Sequence, residues 1–149
     1  MSFLTKLVTS LLLLTVLTGC EYLPFGQGPL EGQVVANPGD WSEVGQVEII
    51  QLETNGADGP YSVNLWIANI EGTLHVFAGD NLSDWVVNIQ SDPNVRLGVN
   101  GSIYELMATR ETSAEQFEKF AQEWKNKYGN RPRNESVAET YLYRLTPRS

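Results

Sequence analysis

Trp85-Val86-Val87-Asn88-Ile89-Gln90-Ser91-Asp92-Pro93-Asn94-Val95-Arg96-Leu97-Gly98-Val99-Asn100-Gly101 changes its hydrophobic period part-way along. Leu82, Trp85, Val86 and Ile89 fall at i, i+3, i+4 and i+7, which predicts one apolar stripe on a helix. Asp80 or Asn81 stands where a cap belongs. Asp92-Pro93 ends the helix, because proline lacks the N–H that the ladder needs and restricts the residue before it. Val95, Leu97 and Val99 then alternate with Arg96 and Gly98, the period of a strand with one buried face. Asn100-Gly101 tolerates positive φ at both positions and predicts a tight hairpin, with Ser102 to Arg110 as the returning strand.

The same reading extends outward. Val47, Ile49, Ile50 and Leu52 predict a strand ending near Thr54, and Asn55 to Pro60 form a turn cluster. Val63, Leu65 and Ile67 alternate with Ser62, Asn64, Trp66 and Ala68, so the second strand has one apolar face. Glu71-Gly72 separates it from Thr73 to Ala78 and predicts another tight hairpin. Ser113-Ala114-Glu115-Gln116 has the spacing of a capping box, in which Ser113 accepts from the Gln116 amide while the Gln116 side chain reaches back. Phe117, Phe120, Ala121, Trp124 and Tyr128 share one face of the helix behind it, and Gly129 stops that helix. Glu139 to Leu145 reads as a last strand, with Tyr141, Tyr143 and Leu145 in step. The expected fold is mainly β with two helices (α+β), a six-stranded antiparallel barrel whose openings the helices cover.

The amino end is a separate problem. Lys6 precedes an apolar run from Leu7 to Leu17, and Thr18-Gly19 precede Cys20, the only cysteine. The run is shorter than the roughly 20 residues that a bilayer helix needs. Together these residues resemble the lipobox signal of bacterial lipoproteins. The resemblance implies diacylglycerol on the Cys20 sulfur, cleavage before Cys20 and acylation of the new amine. Several acyl chains make a stable anchor, at about 0.8 kcal/mol per buried methylene. In that class an aspartate after the cysteine tends to retain the protein in the inner membrane. Glu21 stands there instead, so the expected location is the outer membrane of the cell envelope, with the domain facing the periplasm. The expected organisation is a signal peptide over 1–19, a lipidated amino terminus and flexible tether over 20–43, and a barrel domain over 44–149. Pro24, Pro29 and Pro38 with Gly26, Gly28, Gly32 and Gly39 break regular structure in the tether, although Trp41 offers a group to pack back.

Composition narrows the chemistry. The chain holds 18 acidic and 10 basic residues, a formal charge of −8, and loss of Lys6 with the leader makes it more acidic still. That balance disfavours nucleic acid and broad contact with anionic lipid, so membrane attachment falls to the lipid. With Cys20 lipidated no thiol remains for a disulfide. His75 is the sole histidine, which leaves neither a His/Cys zinc cluster nor a Ser-His-Asp triad with a spare base. On its strand, His75 reads as a satisfied or solvated polar residue. The sequence assigns no catalytic residue and no metal ligand.

Trp85 to Val95 is similar to the Trp-x-x-Asn-Leu-x-x-Asn-Pro-x-Val segment of the deazaflavin-dependent nitroreductase family, which belongs to the flavin-binding split β-barrels. Gly98 to Ala108 is similar too, and Thr54 to Leu65 stands where that family has a Thr-x-Gly-Arg-x-Ser-Gly loop running into a strand. The resemblance covers residues 50–110. It implies a split barrel with a flavin or deazaflavin along a cleft between strands and the first helix, and by analogy a homodimer. Two departures weaken the cofactor. The loop here is Asn55-Gly56-Ala57-Asp58-Gly59-Pro60, with a carboxylate and no cation, where the family carries Arg and Lys. Before the helix the family commonly has a Lys-His pair, and this chain has Gly79-Asp80-Asn81-Leu82-Ser83-Asp84. A phosphate needs cations or converging amides, and only the glycine amides remain to supply them.

The candidate pocket residues are Trp66, Gly79, Trp85 and Asn88. Trp85 reads first as core. Asn88 is a pocket-wall donor or a helix-end hydrogen bond. Trp66 lines the cleft, meets a partner or lies under the C-terminal helix. The favoured function is a non-catalytic envelope lipoprotein that binds a small ligand or an envelope protein. The alternative is a flavin- or deazaflavin-dependent oxidoreductase of nitroreductase or quinone-reductase type.

Overall fold

Hairpin chemistry sets the order of the strands, and two long strands that change partner close them into a barrel. The computed structural model describes residues 28–149, so the leader, Cys20 and the start of the expected tether lie outside the described residues. Within them the order is β1 (Gln33–Val34), α1 (Ser42–Gly45), β2 (Ile49–Gly56), β3 (Gly59–Ile70), β4 (Thr73–Ala78), α2 (Asp84–Ser91), β5 (Asn94–Val99), β6 (Ser102–Arg110), α3 (Ala114–Tyr128) and β7 (Tyr141–Pro147).

Strands β6, β5, β2, β3, β4 and β7 are antiparallel neighbours, and β7 returns to β6. The expected six-stranded antiparallel barrel is therefore present and closed. Strand β3 pairs with β2 up to Trp66 and with β4 from Ile67 onward. Strand β6 pairs with β5 from Ser102 to Met107 and with β7 from Leu106 to Arg110. Both predicted two-residue turns form. Glu71 and Gly72 have φ of 52° and 87°, and Asn100 and Gly101 have 50° and 78°. Positive φ at both central residues matches the strand twist, which is why these turns are tight. In the Asn55–Pro60 cluster only Ala57 and Asp58 form the tip, because Gly56 and Gly59 pair with each other in the ladder.

The barrel interior is filled by alternating strand residues such as Ile50, Leu52, Val76, Leu97 and Leu106, and α2 adds Trp85, Val86 and Ile89. Helix α3 packs outside the barrel: Phe117, Phe120 and Ala121 meet Ala68, Ile70 and Leu142. The far end of β3 is thus buried on both faces. Gly129 ends α3 at φ 91°, as expected.

Four expectations need correction. Helix α2 begins at Asp84 behind Ser83, not behind Asp80 or Asn81. The Ser83 amide donates to Asn81 O, so the chain turns before it coils, and Leu82 stays 54% exposed ahead of the helix. The capping box is half made: Ser113 Oγ accepts from the Gln116 amide, but the Ser113 amide is taken by Glu111. Among the described residues there are three helices rather than two, since Ser42–Gly45 forms a single turn. Finally, residues 30–41 of the expected tether lie on the barrel, with Leu30 and Trp41 buried. The reason is an edge. Strand β7 reaches β6 only from Leu106 onward, so the Ser102–Ile103 stretch offers backbone groups with no partner on that side. Strand β1 takes them in parallel, with the Gln33 amide donating to Gly101 O and the Val35 amide to Ile103 O at 2.9 and 3.0 Å.

Candidate functional site

Helix α2 plugs one mouth of the barrel, and two of the four candidate residues meet there. Trp85 is buried, with its ring edge-on to Tyr143 at 6.0 Å. Asn88 Nδ2 donates to Thr54 Oγ1 at 3.0 Å, which ties α2 to the end of β2. Gly79 leaves β4 with open space where a side chain would stand. Trp66 is elsewhere, on the outer face of β3, with its ring parallel to Tyr128 at a centroid distance of 4.4 Å. It lies beside the C-terminal helix, one of its three expected positions. Trp85, Val86 and Ile89 of α2 belong to the barrel core.

The donors around that mouth do not fit a nucleotide-like phosphate. Asn55 Nδ2 donates to Asp92, whose other oxygen takes the Asn94 amide. These bonds hold the Asp92 carboxyl below the usual carboxylate range. Asp84 occupies the first turn of α2. Burial, helped by the Asp84 charge, pushes the Tyr61 phenol up. The nearby cations already have partners. Arg96 pairs with Glu53 and Arg144 with Glu111, each at 3.2 Å. Arg110 donates to the Thr140 carbonyl, and Arg148 to Leu106 O and Val95 O. Lys127 Nζ donates to Gly45 O, Val47 O and Ile67 O, and burial pushes its ammonium down. Among the described residues no lysine or arginine stands on α2 or in the 55–60 hairpin.

The barrel recurs among solved structures. A conserved hypothetical protein of Mycobacterium tuberculosis matches at TM-score 0.56 and 20% identity, over 71% of this chain and 76% of that one. An F420 reductase matches at 0.53 and 16%, over 76% and 96% of the two chains. An FAD-binding protein of Mesorhizobium loti matches at 0.51 and 13%, over 71% and 85%. The fold is a split β-barrel. At these identities the likeness is one of fold. No family model matches the sequence, and no curated protein does so either.

Two features of the split barrel were missed by sequence reasoning. The first is a strap, residues 28–35, laid over the outer faces of β2 and β5. The Leu30 amide donates to Glu53 at 2.8 Å, Ser62 Oγ donates to Gly28 O at 2.6 Å, and Leu30 covers Gly98. The strap borders a cavity of about 640 Å³ lined by Gly28, Pro29, Leu30, Glu31, Gln51 and Ser62. Outward-facing polar residues on both strands were the available signal. The second is a buried polar cluster beside α3. His75 Nδ1–H donates to Thr73 O at 3.0 Å, and Glu111 takes Arg144 and the Ser113 amide. Burial pushes the His75 imidazole down, against the opposing pulls of Thr73 and Glu111. Among the described residues no three His, Cys, Asp or Glu side chains converge as a metal set.

Proposed function

We propose that this chain is a lipoprotein of the bacterial cell envelope, anchored through Cys20 in the outer membrane, whose split barrel binds a small ligand or an envelope partner without flavin chemistry. The observation that carries the reading is the α2 mouth. It presents Asp84, it is packed by Trp85, and Arg96 and Arg148, which a phosphate could otherwise use, are already bound to the Glu53 carboxylate and to backbone carbonyls. The amino-terminal residues from Lys6 to Cys20 support the anchor. Nucleic acid is not a partner on this reading, because the acidic balance repels it. A homodimer is compatible with it by analogy of fold.

The test of the anchor is fractionation of cells expressing the full chain. The wild type is expected in the membrane fraction with lipid mass on Cys20, and Cys20→Ala in the soluble fraction. An unmodified, intact leader would refute it. The second reading, a flavin or deazaflavin oxidoreductase, is favoured by the F420 reductase and the FAD-binding protein among the neighbours. In such an enzyme the protein supplies positioning and electrostatics around the cofactor. A visible spectrum separates the two. Stoichiometric flavin-like absorbance that survives dialysis supports the second reading. A colourless protein with no flavin-induced thermal shift supports the first.

A further inference from the structure

The outward faces of β2 and β3 form a ladder of three cross-strand pairs: Glu53 with Ser62, Gln51 with Asn64, and Ile49 with Trp66. The strap covers the first pair through its bonds to Glu53 and Ser62. The last pair lies beyond the strap, with Ile49 52% and Trp66 45% exposed. Between them Gln51 and Asn64 face a shelf. The cavity of about 640 Å³ lies on its strap side, and a second of about 240 Å³ reaches the β5–β6 hairpin. Glu31 and Gln51 line both.

The aromatic ring at the end of the shelf is held in place. Tyr128 covers one face of Trp66 at an interplanar angle of 10°, and Tyr128 is itself fixed by its hydroxyl, which donates to Glu48 O at 2.8 Å. The indole therefore stands as a rigid edge of the shelf, and little rotamer freedom is lost when a ligand meets it.

The lining selects among ligands by charge and hydrogen bonding. Among the described residues neither cavity is lined by a lysine or arginine, and Glu31 is the one carboxylate in the two linings, so an anion finds repulsion there. The neighbouring carboxylate, Glu53, is spent on Arg96 and the Leu30 amide, which leaves too little charge to desolvate a cation. A hydrocarbon ligand would bury the Gln51 and Asn64 amides without partners. Each carboxamide offers both donors and an acceptor, the pattern that matches a hydroxyl, which is both at once. A fixed aromatic ring beside such groups accepts the C–H face of a sugar ring.

We propose that this shelf is a binding site for a neutral oligosaccharide, with Trp66 as the stacking platform and Gln51 and Asn64 as the hydroxyl partners. The proposal deepens the ligand-binding reading above and rests on it.

The test uses the full chain, purified from membranes in a zwitterionic detergent that carries no sugar. It is titrated with tri-N-acetylchitotriose and with maltotriose, by calorimetry and by tryptophan fluorescence. Saturable binding of at least one trisaccharide is expected. Trp66→Ala and the double variant Gln51→Ala/Asn64→Ala should each weaken it roughly tenfold or more, with melting temperatures near the wild type. If Trp66→Ala melts early, Asn64→Ala carries the test, since it removes no ring packing. Absence of saturable binding up to about 10 mM sugar would overturn the proposal. So would unchanged affinity in the variants, or a preference for spermidine or a phosphorylated sugar. A colourless, membrane-anchored protein that ignores neutral sugars defeats this site alone, whereas a flavin-loaded protein defeats the reading beneath it.

Discussion

At the scale of single residues, environment overrides identity. Trp85 and Trp66 are the same side chain, yet one packs the barrel mouth and the other stands outside it against Tyr128. His75 shows the same dependence in its titration. Its folded-state imidazole lies below the ordinary value of 6.5, chiefly because burial disfavours the cation. The unfolded chain then binds the proton more readily than the folded one. The contribution of His75 to stability is complete above about pH 6.5 and falls as the pH drops below that value. Thermal melts at pH 7.5 and pH 5 should show a loss in the wild type, and His75→Phe should lose less over the same interval. An equal loss in both proteins would place the acid sensitivity elsewhere. The burial of His75 could not be read from its strand position, because its neighbours Glu111 and Arg144 come from distant parts of the chain.

At the scale of elements, strap and helices obey different rules. Helix α3 was legible because its apolar face, its Ser113 cap and its Gly129 stop are all local signals. The strap was not, because Pro and Gly in residues 28–39 describe what the segment cannot form alone and say nothing of an edge that it can complete. Gly32 marks the attachment point. Its φ is 151°, and a Cβ there would come within 2.6 Å of Gly101 O, a backbone atom with little room to yield. Gly32→Val should detach β1 from β6, with a cost of about 1–3 kcal/mol. Hydrogen exchange would show it as faster exchange at the Gln33 and Val35 amides while the β2–β5 ladder stays protected. Unchanged protection at those two amides would mean that β1 stays paired with β6 despite the added side chain.

At the scale of the whole molecule, two cores divide the work. The barrel interior closes on itself, whereas α3 seals the outer face of β3 and β7 through Phe120, which is fully buried. Phe120→Ala should cost about 3–5 kcal/mol in chemical denaturation, in keeping with the loss of a large buried ring. A cost under 1 kcal/mol would show that α3 is peripheral to stability. The order of the six barrel strands with α2 and α3, both two-residue turns and the docking face of α3 were determined by the sequence alone. The physical reason is that periodicity and turn chemistry act between residues a few positions apart. Tertiary structure alone decided that β7 leaves an edge for β1, that Leu30 reaches Glu53, that each strand arginine is committed, and that Trp66 stacks on Tyr128 of α3. Those outcomes join residues far apart in the chain, and only barrel closure brings them within bonding distance.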